Sequence, residues 1–306
     1  MRLAWSIAVV QDGLMATVMF VGVSTAQSLI HRAFPLWAGH LGLNAEIAVV
    51  DLPAGTGRAD YRRLLEDIRG DVGCLGAVVT THKVALFEAA ADRFGTLDDL
   101  ARSCREINAI RHCGEDLKGF ARDPVSVGRV LDTIWPAAHG EVLCLGCGGT
   151  AIALGRHLLA RGHGGPLRFV DRDPAAVARL AGTLGDGRID ARCGEAPWDE
   201  AIAGLGPGAL IVNATGMGKD RPGSPVTPAV AFPAGAVVWE LNYRGDLRMR
   251  DVGRAQAEHR GLAVHDGWAL FCHGWAAGLS AVLGLPDDPQ LGDRFADVAR
   301  HLRPAA

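Results

Sequence analysis

Residues 141–173 read EVLCLGCGGTAIALGRHLLARGHGGPLRFVDRD. A short apolar run, EVLCLG, has the length and β-branched character of a buried strand. Three glycines follow at 146, 148 and 149, and then GGTAIALGRHLLARG, whose apolar residues recur at helical spacing. A second apolar run, PLRFVDRD, ends in acids. Strand, glycine turn, helix and strand in that order form a βαβ unit, which places two strands side by side in a parallel sheet.

The turn itself carries chemistry. Gly146-Cys147-Gly148-Gly149-Thr150-Ala151 matches GxGxxG/A with alanine in the last place. Glycine lets the backbone approach a pyrophosphate closely, and the helix that follows presents free N–H groups to it. Gly146, Gly148, Gly149 and Thr150 are therefore candidate cofactor contacts. The same glycines would also serve a plain strand-to-helix turn, so the pattern gains its weight from the strand before it and the helix after it. Asp171 ends the next strand, 25 residues after Gly146. A carboxylate there can accept both ribose hydroxyls of NAD and would repel a 2′-phosphate. Arg172 points the other way, since an arginine can hold that phosphate. With Asp171 and Asp173 flanking it, NAD is the expected cofactor and NADP the alternative.

Working outward, the same alternation runs through most of the 306 residues. Towards the N-terminus, TVMFVGV (17–23), AEIAVVDLP and CLGAVVTT read as strands. SLIHRAFPLWAGHLG (28–42), DYRRLLEDIRG and KVALFEAAADRF read as helices. Towards the C-terminus, AAVARLAGTLG is helical, ALIVNAT and AVVWELN are strands, and GWALFCHGWAAGLSAVLGL is a long apolar helix, followed by LGDRFADVARHL. Two βα series with helices at the end imply an α/β protein: an N-terminal α/β domain over 1–125, a Rossmann-like domain over 126–266, and C-terminal helices over 267–306. Residues 1 to about 15 read as an extension of unknown role.

Composition narrows the function classes. A formal net charge of −3 without a basic block argues against nucleic acid and anionic membranes as partners, and no apolar run reaches the length of a membrane span. The 7 cysteines are odd in number and scattered, as reduced thiols in a cytoplasm would be. Cys144 and Cys147 form a CxxC around Gly146, but no second half completes a metal site, so no metal is expected. The expected assembly is a monomer or homodimer.

Among 31 basic residues there are three lysines, Lys83, Lys118 and Lys219. Lys83 lies at a strand end in AVVTTHKVALFE (77–88) and opens a helix, where the dipole disfavours a surface cation. Reducing a ketone with a nicotinamide needs a proton as well as a hydride. A lysine can be tuned to supply that proton, whereas an arginine stays charged. Asp123, in LKGFARDPVSVG where the first series hands over to the second, is its candidate partner.

With these residues in place, the chain resembles the shikimate/quinate dehydrogenases over nearly its whole length, from about Phe20 to Leu285. The family's lysine in NVTxPxK resembles Lys83 in VVTTHK, and its aspartate in GxNTDxxG resembles Asp123 in GFARDPVSVG. GCGGT resembles its GAGGA turn, and Asn213-Ala214-Thr215 its NAT strand end. Asn108 in EINAI resembles the asparagine of AVNT, Tyr243 in ELNYRGDL the family tyrosine, and DGWALFCHGWAAGL the closing GMLxxQGxxxFxxW. The resemblance implies an oxidoreductase of aromatic amino acid biosynthesis or quinate metabolism. A cyclic polyol acid would bind the first domain and last helices, with Lys83 and Asp123 as the catalytic pair. Thr25, Gln27, Thr80, Asn108, Tyr243 and His273 would contact substrate, and Asn213, Ala214, Thr215 and Gly267 would join the cofactor contacts.

Departures cluster on the substrate side. The family's SxSP serines correspond to Thr25 and Gln27, the strand-end asparagine to Val78, the threonine before the catalytic aspartate to Arg122, and the late glutamine to His273. This pattern suits retained redox chemistry on an altered, shikimate-like acid. Two alternatives remain: a folate-linked dehydrogenase of similar architecture, and a ligand- or dinucleotide-sensing protein without turnover.

Overall fold

The computed structural model describes residues 15–136, 140–219 and 221–304, so residues 1–14 of the expected extension lie outside it. The chain forms two compact units: one takes the chain up to Arg122 together with Trp275–Arg303, the other Asp123–Gly274.

The first unit is built on β1 (Ala16–Gly22), α1 (Ile30–Leu41), β2 (Ala45–Asp51), α2 (Arg58–Gly70), β3 (Cys74–Val79), α3 (Lys83–Ala90), β4 (Thr96–Leu97), α4 (Asp99–Cys104), β5 (Ala109–Cys113) and β6 (Asp116–Phe120). Its sheet runs β2-β1-β3-β5-β6-β4. The strands β2, β1 and β3 are parallel, as their βα alternation requires. Strand β5 is antiparallel to β3 and forms a hairpin with β6, which the apolar pattern did not reveal. Its sequence, AIRHCGEDLKGF, is half polar because the hairpin approaches the sheet margin. On one face α2 buries Tyr61, Leu64, Leu65 and Ile68, the stripe of a helix whose apolar residues recur every three to four positions. They join Val21, Leu86, Ile107 and Ile110 in one core.

The second unit begins with α5 (Asp123–Ile134), β7 (Val142–Leu145), α6 (Gly149–Ala160), β8 (Leu167–Asp171), α7 (Pro174–Leu184) and β9 (Ile189–Cys193). It continues through α8 (Asp199–Ala203), β10 (Leu210–Asn213), β11 (Val237–Glu240), α9 (Arg248–Arg260), β12 (Ala263–His265) and the start of α10 (Trp268–Leu283). Its six-stranded sheet has the order β12-β11-β10-β7-β8-β9, parallel throughout. The chain winds outward one way from β7 and the other way from β10. The strand order therefore reverses between these two strands, and the crevice at their carboxyl ends is where doubly wound sheets take ligands.

Helix α10 passes from the second unit to the first between Gly274 and Trp275. Its apolar pattern runs through that point without a break, so the sequence carries no mark of it. The last helix, α11 (Leu291–Val298), lies with α1 in the first unit. The Trp37 ring stacks on Phe295 with centroids 4.7 Å apart, and its indole N–H donates to the Phe295 carbonyl at 2.9 Å. Trp275 packs on Phe20 of β1 at 5.2 Å.

Candidate active site

Each unit presents candidate residues at the carboxyl ends of its central strands. In the first unit β1 ends at Gly22. A Cβ there would stand 3.0 Å from both the Thr25 methyl and the Thr80 hydroxyl, so these two side chains are neighbours above the strand end. Thr25 is 2% exposed, and its hydroxyl lies beside the Asp51 carboxyl. Its backbone N–H donates to Asp51 Oδ1 at 2.8 Å, which holds that carboxyl below its usual range. Gln27 is exposed, and so is Thr80, whose hydroxyl donates to the Val21 carbonyl at 3.2 Å.

Lys83 opens α3 and is 8% exposed. Its ammonium lies 3.5 Å from Glu106 Oε2, and the Glu106 side chain is 0% exposed. Strand register explains the meeting. Val79 N–H donates to the Asn108 carbonyl and Ile107 N–H to the Lys83 carbonyl, which lays the approach to β5 beside the end of β3. Asn108 is buried next to them, its Oδ1 accepting from the Arg122 N–H at 2.7 Å. The Arg122 guanidinium pairs with Asp98, the N-cap of α4, and lies over the Phe120 ring, so it serves the first unit's own frame. His82, adjacent to Lys83, is taken up locally: its Nε2 lies 2.9 Å from the Leu52 carbonyl and its Nδ1 2.7 Å from the Tyr61 hydroxyl.

In the second unit the glycine turn joins β7 to α6. Gly146 has φ +106, a backbone conformation that favours glycine, and a Cβ there would lie 2.8 Å from the Ala214 carbonyl group. The turn thus touches the end of β10 at the point where the strand order reverses. Around Gly148 there is open space within 4 Å, and this N-cap offers no side-chain hydrogen bond to α6. Bare backbone, room and the N–H groups of a helix start fit a dinucleotide pyrophosphate. Thr150 stands in the first turn of α6, after Gly149.

The two acids flanking Arg172 have structural tasks. Asp171 accepts from the Cys147 N–H at 2.8 Å and from the Asp173 N–H at 3.0 Å, and Asp173 caps α7 through the Ala175 N–H at 2.9 Å. Arg172 is exposed. The charge pattern around it therefore argues less strongly for NAD than the sequence suggested. Cys147 lies in the turn beside Asp171, and burial together with that carboxylate pushes its thiol up to about 12. Burial likewise raises Cys144.

Asn213, Ala214 and Thr215 follow β10, with Asn213 buried. Gly267 follows β12 and is held against the end of β11. Its N–H donates to the Asn242 carbonyl, and a Cβ on it would collide with the Leu241 carbonyl oxygen. Tyr243 packs on Phe271 at 4.5 Å, with the Lys219 ammonium 5.9 Å from its ring centre. His273 is buried on α10, within the second unit. Asp123 is the first residue of α5 and of the second unit.

Sequence reasoning missed two buried acids, Glu106 and Glu240. Both left a signal: a carboxylate inside an otherwise apolar segment, in EINAI and in VVWELN. Such a group needs a partner.

No family model matches the chain. It is 32% identical over 290 residues to the shikimate dehydrogenase (NADP(+)) of Methylobacterium radiotolerans, an alignment covering 89% of this chain and 95% of that protein. Among solved structures, the shikimate 5-dehydrogenase of Thermus thermophilus in complex with shikimate superposes with a TM-score of 0.70 at 24% identity, covering 95% of this chain and 100% of that one. Quinate dehydrogenase from Corynebacterium glutamicum in complex with NAD gives a TM-score of 0.70 at 17% identity, over 94% and 99% of the two chains. At these identities the two structural likenesses speak for the fold.

Proposed function

The chain belongs to the shikimate dehydrogenase family, and on that premise we propose that it oxidises and reduces a ring CH–OH group of a shikimate-like acid with a nicotinamide dinucleotide. The observation that carries the reading is Lys83. In a chain that otherwise uses arginine, a lysine is buried past the end of β3 with a fully buried carboxylate on its ammonium. A surface cation would need neither.

In this reading the first unit grips the substrate. On the family resemblance, the buried Thr25 hydroxyl, with Thr80 beside it, is the group that would meet a substrate carboxylate. Asn108, its Oδ1 on the Arg122 N–H, is the expected contact to a ring hydroxyl. Lys83 would take the hydroxyl proton as the neutral amine when the alcohol is oxidised and return it as the ammonium on reduction, with Asp123 as its expected partner. Glu106 keeps the amine oriented.

The second unit would hold the cofactor, its pyrophosphate on Gly146, Gly148, Gly149 and the start of α6, with Asn213, Ala214, Thr215 and Gly267 as further contacts. When bound, the nicotinamide supplies the hydride acceptor. The relatives' names favour NADP over NAD. An exposed Arg172 suits a 2′-phosphate, since Asp171 and Asp173 are occupied by backbone N–H groups.

The test is turnover by purified protein with NADP and NAD against shikimate, quinate and amino- or hydroxyl-substituted analogues, followed at the nicotinamide absorbance. Reduction of NADP with one of these acids is the expected result. Dinucleotide binding without turnover across the panel would instead identify a sensor.

A further inference from the structure

The second unit contains a buried acid that the reaction as described does not use. Glu240 ends β11 and is 1% exposed. Its Oε2 accepts from Asn213 Nδ2 at 2.7 Å and its Oε1 from the Asn242 N–H at 3.0 Å. Asn213 Oδ1 in turn accepts from the Thr215 N–H at 3.1 Å and the Thr215 hydroxyl at 2.7 Å. The Thr215 oxygen accepts from the Met217 N–H at 3.0 Å, and Asn242 Nδ2 donates to the Met217 carbonyl at 2.9 Å. The bonds close into a ring that starts and ends on Glu240. Inside it the Ala214–Thr215 backbone lies against Gly146, where a Cβ would come within 2.8 Å of the Ala214 carbonyl and 3.0 Å of the Thr215 nitrogen.

We infer that Glu240 is a positioning residue for the dinucleotide: as a carboxylate it closes this ring and so fixes the 213–217 segment against the glycine turn. The inference rests on the reading of the second unit as the cofactor domain.

The ring fixes the protonation state it requires. Asn213 must turn its oxygen to the Thr215 donors, so its NH2 faces Glu240. The other Glu240 oxygen faces a backbone N–H. With a donor on each oxygen, protonation weakens the acceptor that takes the proton and loosens the ring at that bond.

The surroundings pull both ways. Burial pushes the Glu240 carboxyl up to about 7, against the hydrogen bonds from Asn213 and Asn242 and the Arg250 guanidinium of α9. The neighbouring strands bring a neutral Asn213 from β10 and, opposite Trp239, His265 from β12, itself depressed by burial.

Two opposite pH trends follow. An unfolded glutamate titrates near 4.5, so between about 4.5 and 7 the folded chain keeps a proton that the unfolded chain has released. The Glu240 contribution to stability therefore falls as pH rises through this window. Dinucleotide affinity, which needs the closed ring, rises as pH passes 7. A carboxylate retained for packing alone would show the first trend without the second.

The experiment titrates NADPH and NADH, by nicotinamide fluorescence, into wild type and Glu240→Gln at pH 6 and pH 8, with thermal unfolding at both. The amide introduced by Glu240→Gln must set its NH2 group against either the Asn213 NH2 or the Asn242 N–H, so the ring stays open at every pH. Wild type is expected to bind about tenfold more weakly at pH 6, where about a tenth of the carboxyl is ionised. The variant is expected to bind about tenfold more weakly at pH 8, without the wild-type step, while melting no lower than wild type there. The difference between the two proteins removes the titration of the cofactor's own phosphate. Glu240→Asp is expected to restore part of the pH step. Equal wild-type affinity at pH 6 and 8, or a Gln variant that keeps the step, overturns the inference and leaves the proposed function standing. If the Gln variant does not fold, the wild-type titration alone still decides. Absence of binding of either dinucleotide at any pH overturns the proposed function, and the inference with it.

Discussion

Replacing Lys83 with methionine removes an ammonium at nearly constant side-chain length. The Glu106 carboxylate it leaves behind is 0% exposed. At 3.5 Å and an effective dielectric of ~20 the attraction between the two charges is about 5 kcal/mol, a ceiling before desolvation is subtracted. Removing one member of a buried pair costs about 3–5 kcal/mol, because the other charge stays buried. Lys83→Met and Glu106→Gln should each destabilise the protein by that amount, and the double variant by about 1–3 kcal/mol less than the two singles together. For a unit of this size a single variant should melt about 10 °C below wild type. Urea denaturation of all four proteins supplies the cycle, with nicotinamide titration and turnover measured alongside. Lys83→Met should abolish turnover yet bind NADPH nearly as wild type does, because the lysine belongs to the first unit and the glycine turn to the second. A coupling below about 0.5 kcal/mol, the size of an exposed surface pair, would refute the argument that Glu106 holds this amine. Equal loss of turnover and dinucleotide binding would refute the division of labour.

Three further outcomes can be measured directly. Gly146→Ala combines a left-handed φ of +106 with a methyl 2.8 Å from the Ala214 carbonyl, so dinucleotide affinity should fall by about 100-fold or more while first-unit near-UV circular dichroism is kept. Asp171→Ala removes the acceptor of the Cys147 and Asp173 N–H groups, worth about 1.5–3 kcal/mol. NADPH and NADH affinities should drop together, and a loss confined to NADH would mean that the acid reads the ribose. Trp37→Ala opens a cavity where the ring stacks on Phe295 and removes the indole bond to its carbonyl; a loss of about 3–5 kcal/mol in denaturant and early proteolysis near α11 are expected.

The fold was legible because its signals are local. Gly146 to Ala151 followed a buried strand and opened a helix, and the topology then followed from alternation alone. The β5–β6 hairpin was not legible, because AIRHCGEDLKGF alternates too weakly to reveal a strand pair. The cofactor preference was only partly legible, for a related reason. Asp171 and Asp173 looked like a reader of ribose, but charge in a sequence does not show which N–H groups it already serves.

The site was legible only where one residue type carries one chemistry. Lys83 stood out because lysine is rare in this chain, and the buried Glu106 beside it adds a charge the EINAI segment would not otherwise need. That glutamate stands where the family segment AVNT has alanine. Together with Thr25 and Gln27 at the serine positions, this means the departures lie around the groups that would touch the ring and its substituents, while the glycine turn keeps its geometry. An added carboxylate next to the amine lowers the local positive charge offered to a substrate. It disfavours an extra anionic group near the reacting carbon and tolerates a cationic one there. Within the acids of the substrate panel, an amino-substituted ring should therefore lose less in kcat/KM when Glu106 is present than when it is replaced by alanine. A shikimate preference unchanged by Glu106→Ala would limit Glu106 to orienting Lys83.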